Sequence, residues 1–215
     1  MRPARAGLLF IFAVLWHTES MTEIYTKLAF LDVETTGREP GRHEVIEIGV
    51  AFIDPVTRGL IDSFALKLKP EHMENAEPEA LEINKYSDQE WKDALPQAEG
   101  LRQFAQRLRG TTPCGWNVGF DRAFLETAMN RNGITLESAE IDYTWRDIKI
   151  DFIRWTKLVG REAEFAPRFS LGSARRVFDV EIEDPHRALP DTIATWQVWQ
   201  RLEEEFQKFA ALVES

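Results

Sequence analysis

Two acidic residues lie inside an apolar run near the start of the chain, Leu-Ala-Phe-Leu-Asp-Val-Glu, which ends at Glu34. The run predicts a buried strand, and because side chains alternate along a strand, Asp32 and Glu34 point to the same face. Unpaired carboxylates are costly to remove from water unless they meet Arg or Lys, become protonated or bind a cation. The chain must therefore fold so that this pair meets a compensating charge.

Hard divalent cations fit the acidic pair best, because Mg²⁺ and Mn²⁺ prefer carboxylate and water oxygens. Zinc would require several Cys or His, and the chain has one Cys and four scattered His. The alternative is an acidic structural domain in which Arg122 and Arg187 pair with carboxylates. The sequence leaves both interpretations open, and divalent-dependent thermal stabilisation would distinguish them.

The length of 215 residues, 44% of them hydrophobic, predicts one domain with one substantial core. Residues 1–20 differ from the rest, because two Arg precede an apolar run that imitates a signal peptide but is too short to span a bilayer. We interpret 1–20 as an N-terminal extension, either a mis-assigned start or a signal-like segment, ahead of a folded domain at 21–215. The single Cys agrees with a cytoplasmic protein, and export through 1–20 is the alternative.

The formal net charge of −10 argues against a protein that coats nucleic acid without specificity. It is compatible with a nuclease in which metal ions and a local basic strip meet the phosphates. Residues 165–178 form such a strip, with three Arg and no acid. A solvated helix face is the alternative interpretation of the strip.

Hydrophobic periodicity predicts three strands followed by alternating helices and strands. The apolar run 45–53 and the alternating residues 64–68 follow the first strand, and together they predict an antiparallel meander. Further strands are predicted at 111–116 and 141–143, helices near 101–110, 119–132, 147–159 and 171–178, and a long amphipathic helix through 193–212.

Two further acids and a histidine extend the candidate site. Asp121 and Asp191 each fall in the first turn of a predicted helix, where a capping role explains either residue taken singly. Together with the strand pair they can converge on one pocket at the carboxyl end of a sheet. Imidazole is a common general base at physiological pH, so His186 is a candidate to accept a proton from an attacking water; a loop histidine without function is the alternative.

Three motifs, in this order, carry a family resemblance. They are Asp-Val-Glu-Thr-Thr-Gly at 32–37, Asn-Val-Gly-Phe-Asp at 117–121 and His-Arg-Ala-Leu-Pro-Asp at 186–191. With them the chain resembles the DEDDh 3′–5′ exonucleases of the ribonuclease H-like superfamily, which include the proofreading subunit of bacterial DNA polymerase III and ribonuclease T. The resemblance covers roughly residues 27–202.

The resemblance implies an α/β, ribonuclease H-like three-layer fold, with a mixed five-stranded sheet and helices on both faces. It also implies metal-dependent hydrolysis of phosphodiester bonds at the 3′ end of DNA or RNA, with two Mg²⁺ or Mn²⁺ ions and release of nucleoside 5′-monophosphates. The implied metal ligands are Asp32, Glu34, Asp121 and Asp191, and the implied general base is His186. The implied substrate-binding residues are Thr35, Thr36, Asn117 and Phe120.

Two departures from the family pattern concern the substrate rather than the chemistry. Trp116 occupies a place where many relatives carry His, and we expect it to pack in the core. The stretch 142–147 lacks the Asp-Thr signature of polymerase-linked relatives, which disfavours a proofreading role. A polymerase partner and a homodimer both stay open. The alternative functions are an RNA 3′-end trimming ribonuclease, an oligoribonuclease-like enzyme, or a non-catalytic nucleic-acid-binding module.

Overall fold

The computed structural model of the protein describes residues 27–214, so the extension predicted at 1–20 lies outside the described residues. Within them, no helix is both long enough and apolar enough to cross a membrane. The described residues fold around a single five-stranded sheet.

The sheet has the strand order β3-β2-β1-β4-β5. Strands β1, β2 and β3 pair antiparallel, whereas β4 pairs parallel with β1 and β5 parallel with β4. The predicted mixed five-stranded sheet and its antiparallel meander are therefore confirmed. The strands are β1 (Leu28–Thr35), β2 (Val45–Ile53), β3 (Leu60–Lys67), β4 (Thr112–Gly115) and β5 (Arg146–Asp147).

Helices cover both faces of the sheet, as the resemblance implied. Alternate residues of β1 point to opposite sides: Leu31 packs with helices α2 and α3, whereas Phe30 packs with α4 and α7. The α-helices of the described residues are α1 (Pro78–Ile83), α2 (Gln97–Leu108), α3 (Gly119–Arg131), α4 (Ile148–Leu158), α5 (Glu162–Phe165), α6 (Leu171–Val177) and α7 (Ala188–Glu214).

The strand predicted at 141–143 is wrong, because the chain joins the sheet only at β5. The Asp142 amide lies 3.4 Å from the Thr111 carbonyl oxygen, a long contact. The Asp142 carboxylate accepts the Thr144 amide at 2.8 Å, so the chain turns before it can continue a ladder. The acid at this position therefore favours a turn over the strand that its apolar neighbours suggest.

Candidate active site

Three of the predicted metal ligands meet where β1 lies beside the start of α7. One carboxylate oxygen from each of Asp32, Glu34 and Asp191 lies within 4.8 Å of the other two. Gly49, the cross-strand partner of Asp32, allows this approach, because a Cβ there would lie 2.3 Å from the backbone of Ala188. The missing side chain on β2 therefore brings the helix that carries Asp191 against the strand that carries the acidic pair.

Asp121 lies beside this cluster, in the first turn of α3, and is 2% exposed. Its Oδ1 accepts the amide of Val33 at 3.0 Å, so it contacts the backbone between Asp32 and Glu34. Asp121 is also the carboxylate with the largest electrostatic effect on the pKa of Asp32. The structure thus brings all four predicted acids together at one end of β1, and we call these four residues the acidic site.

The acidic site has no basic partner among the described residues. Arg122 pairs with Glu126 at 2.7 Å, and Arg187 pairs with Glu47 at 2.9 Å. Across the described part of the chain, no Lys or Arg lies within 4.0 Å of a carboxylate of the acidic site. Neither arginine therefore forms an ion pair with the acidic site, and Arg187 lowers the pKa of Glu34 by less than the neighbouring carboxylates raise it.

Burial is the largest cause of the raised pKa values of the four carboxyl groups in the acidic site, which no Arg or Lys of the described residues contacts. It raises the pKa of Glu34 to about 8, and the carboxylates of Asp191 and Glu47 add to this shift. Burial also raises the pKa of Asp121 to about 8. The pKa of Asp32 is raised well above its usual value by burial and then by Asp121, and that of Asp191 is raised by burial. Such carboxyl groups hold protons near neutral pH unless a cation displaces them.

His186 lies in an exposed loop, residues 181–187, which we call the histidine loop. Its φ of 64° is in the left-handed region, and its amide donates to Oδ2 of Asp191 at 3.0 Å. The imidazole is exposed to solvent. The structure thus fixes the backbone of the predicted general base against one of the predicted metal ligands.

The two predicted substrate-binding threonines form a buried turn. The Thr35 hydroxyl donates to the Gly37 carbonyl oxygen at 2.6 Å, and the Thr36 hydroxyl accepts the Glu44 amide at 2.9 Å. Thr36 has no exposed surface. Its side chain therefore supports the turn from inside, and its backbone is also engaged within the fold, because its amide donates to the Glu44 carbonyl oxygen at 2.9 Å and its carbonyl oxygen accepts the Glu77 amide at 2.8 Å.

The other two predicted substrate-binding residues are exposed. Asn117 has a φ of 59°, and its amide donates to Oδ1 of Asp147 at 2.9 Å, while its side-chain oxygen accepts Nζ of Lys149 at 3.2 Å. Phe120 is 36% exposed and rests on Phe124, with ring centroids 4.7 Å apart. Both residues are close in sequence to Asp121, and both are exposed at the start of α3.

Trp116 packs in the core as expected, with its ring 5.7 Å from that of Phe152. Three supporting residues were not among the predicted site residues, namely Asp147, Glu47 and Lys85, and of these only Glu47 was considered and left out because it matches no metal ligand of the family. Glu47 is opposite Glu34 in the β1–β2 register and is 3% exposed. Glu47 lies inside the apolar run of β2, as Asp32 lies inside that of β1. The same pattern could therefore have identified Glu47 as an acid that needs a partner.

The fold and the four clustered carboxylates match what the resemblance to the exonucleases of the ribonuclease H-like superfamily implied. Residues 29–199 match the family described as Exonuclease, the ribonuclease T family. The chain belongs to this family, the DEDD 3′–5′ exonucleases.

The chain is similar to the PolC-type DNA polymerase III of Caldanaerobacter subterraneus subsp. tengcongensis, with 24% identity over 199 residues, which are 88% of this chain and 12% of that protein. Its fold is similar to that of E. coli exonuclease I in complex with a dT13 oligonucleotide, at a TM-score of 0.70 and 18% identity, covering 86% of this chain and 43% of that one. It is also similar to exonuclease I from Methylocaldum szegediense, at a TM-score of 0.69 and 21% identity, covering 85% and 42%. The chain thus spans less than half the length of these relatives.

Proposed function

We propose that the chain is a metal-dependent exonuclease that removes nucleoside 5′-monophosphates from single-stranded 3′ ends. The observation that best supports this is the acidic site, in which four buried or half-buried carboxylates meet without a basic partner among the described residues. A site of this kind is unfavourable for a purely structural domain. It is suitable for binding cations together with a phosphate ester.

The donor set consists of carboxylates, which fits hard divalent cations. We assign two Mg²⁺ or Mn²⁺ ions to Asp32, Glu34, Asp121 and Asp191; such ions, when bound, activate a water and stabilise the leaving oxygen of a phosphodiester. The raised pKa values of the acids favour this assignment, because the cost of ionising buried carboxyls is offset when cations bind.

The remaining roles belong to side chains around the acidic site. His186 accepts the proton of the attacking water, and its amide contact to Asp191 keeps it beside the ligands. The exposed ring of Phe120 offers a surface on which the terminal base can stack. We assign the position of the terminal nucleotide to the side of the acidic site near the exposed Asn117, with the buried Thr35–Thr36 turn shaping the floor beneath it.

Single-stranded DNA is the substrate that we propose first. Structures of E. coli exonuclease I contain single-stranded DNA, among them dT13 and dA16 oligonucleotides. The similarity to a PolC-type polymerase supports association with a polymerase as part of the same proposal. Cytoplasmic action and a single catalytic domain at 21–215 also belong to it.

Digestion of 5′-labelled single-stranded DNA and RNA of one sequence, with Mg²⁺, Mn²⁺ or EDTA, tests the proposal. We expect a ladder that shortens from the 3′ end and disappears with EDTA and with Asp32→Ala. Asp62→Ala is the matched control, because Asp62 is an exposed acid on β3 that pairs with Arg107. If RNA is digested faster than DNA of the same sequence, the result would favour an RNA 3′-end trimming enzyme. Intact label under every metal condition would refute catalysis and favour a binding module.

A further inference from the structure

The turn after α1 is anchored to the strand that carries the acidic pair. Asn84 is 5% exposed, and its side-chain amide donates to the Thr35 carbonyl oxygen at 2.8 Å. Thr35 directly follows Glu34. The next residue, Lys85, has a φ of 54°, a conformation that few L-residues adopt, so the local fold rather than intrinsic preference fixes the direction of its side chain.

From this anchored turn, Lys85 reaches the histidine loop. Its Nζ donates to Oδ1 of Asp184 and lies 3.4 Å from the Pro185 carbonyl oxygen. Asp184 and Pro185 are the two residues before His186. The Lys85 and Asp184 side chains are 51% and 48% exposed, so the contact is open to solvent.

A second ion pair holds the other side of the same histidine. Arg187 directly follows His186, and its guanidinium donates to both carboxylate oxygens of Glu47, at 2.9 and 3.3 Å. The Glu47 side chain is 3% exposed and that of Arg187 is 19% exposed. The exposed histidine therefore lies between one buried and one half-exposed ion pair. The partner residues Glu47 and Lys85 lie on β2 and on the turn after α1, and both of these contact β1.

We propose that Lys85 is a positioning residue for His186, acting through Asp184 and the Pro185 carbonyl. This inference rests on the proposed function. The Arg187 pair fixes the side of the loop that leads into α7, whereas the side that leads out to solvent is held by Lys85. Loss of the Lys85 contact releases that side, so the imidazole occupies the productive position for a smaller fraction of the time. The effect falls on the chemical step rather than on substrate binding.

The test measures kcat and KM separately, on 5′-labelled single-stranded DNA with Mg²⁺. We expect Lys85→Met and Asp184→Asn each to lower kcat by about tenfold, since small misplacements of a catalytic group cost up to about a hundredfold. KM should stay within about twofold of the wild type, because uniform binding is intact. The double variant should be no worse than either single variant. Lys85→Arg should restore most of kcat, because it keeps the charge.

The matched control is Lys157→Met, which removes a lysine from an ion pair with Glu162 of similar exposure, 57% and 49%, outside the site. Amide hydrogen exchange gives an independent readout: Lys85→Met should speed exchange across residues 181–187, and the control should not.

Three results would overturn the inference. A raised KM with unchanged kcat in Lys85→Met, together with a normal Asp184→Asn, would show that Lys85 contacts substrate phosphate directly. Wild-type kcat in both single variants would show that the contact does not position the base, whatever the exchange rates. An inactive wild-type protein would instead refute the proposed function, and the inference would fall with it.

Discussion

Two groups of buried or half-buried acids lie at different places along the sheet. One group forms ion pairs with an arginine, and the other has no basic partner among the described residues. At β5, Asp151 and Glu203 both accept hydrogen bonds from Arg146, at 2.9 and 3.0 Å. We call these three residues the arginine network. In the acidic site, the carboxylates of Asp32 and its neighbours have no such partner among the described residues.

The difference distinguishes acids whose charge is balanced within the fold from acids whose charge is not. An ion pair inside the fold is complete when the chain folds, and breaking it leaves an unpaired buried charge. A carboxylate cluster without a basic partner among the described residues still lacks a compensating charge there. The contrast is the basis for our proposal that a bound cation supplies the positive charge at the acidic site.

The largest effect is expected for Asp32→Asn. The change removes one charge and keeps the shape, so it should lower kcat by at least about 10³-fold, because the bound cations supply several kcal/mol of transition-state stabilisation. It should also raise the melting temperature of the metal-free protein at pH 8, because one uncompensated carboxylate is gone. Steady-state kinetics and thermal melts in EDTA check the two effects.

Asp184→Asn makes the contrast sharper, since the carboxylate of Asp184 already pairs with Lys85 and its side chain is half-exposed. Its melting temperature in EDTA should not rise. If Asp32→Asn instead lowered the stability of the metal-free protein, the acids of the site would be contributing to the fold, and the contrast with the arginine network would fail.

The sheet and most of the helices could be predicted from hydrophobic periodicity, because β1, β2 and α7 carry long, regular apolar patterns. The two-residue strand β5 could not, since its residues Arg146 and Asp147 carry no strand pattern. They join the sheet through pairing with Cys114 and Gly115, and Arg146 is held by the acids of the arginine network. Both are tertiary effects that local sequence does not encode.

The next effect is expected for Arg146→Met. The substitution leaves Asp151, which is 6% exposed, buried without its strongest partner. The expected loss in the free energy of unfolding is about 3–5 kcal/mol, which lowers the melting temperature by roughly 10 °C in a domain of this size. Denaturant titration measures the loss. A change below about 1 kcal/mol would mean that Asp151 is neutralised in another way.

A smaller effect, with a definite sign, concerns pH. The folded-state pKa of Glu34 is about 8 and its ordinary value is 4.5, so the folded protein binds a proton that the unfolded chain has already lost over that interval. The free energy of unfolding of the metal-free protein therefore falls as pH rises from about 4.5 to about 8. Asp121 acts in the same direction.

Divalent cations should oppose this trend, because they bind the ionised carboxylates. Stabilisation by Mn²⁺ or Mg²⁺ should grow between pH 5 and pH 8 and reach about 2.7 kcal/mol at a hundredfold excess over Kd. Thermal melts at several pH values, with cation or EDTA, measure it. Asp32→Asn should lose most of the stabilisation, and an equal gain in that variant would place the cations elsewhere.

The four acids of the site could be found from sequence because motif spacing marks them, but the contacts around them could not. The opposition of Glu47 and Glu34 depends on the strand register, and the reach of Lys85 depends on a left-handed turn. The burial of Thr36 likewise depends on Glu44, eight residues away. Each is a consequence of the packed fold and not of a local pattern.

The smallest effect is expected for Arg109→Met, which makes the same chemical change as Arg146→Met in a different setting. Arg109 pairs with Glu140, with a 2.8 Å contact from Nε, but the two side chains are 64% and 57% exposed. Water solvates both charges once the pair is broken, so the melting temperature should stay within experimental error. A large loss here would mean that pairing stabilises this protein whether or not the charges are buried. The stability of the fold would then depend on ion pairs in general, and the acidic site would be an exception to that dependence. It would not be one of two distinct ways in which this fold accommodates buried acids.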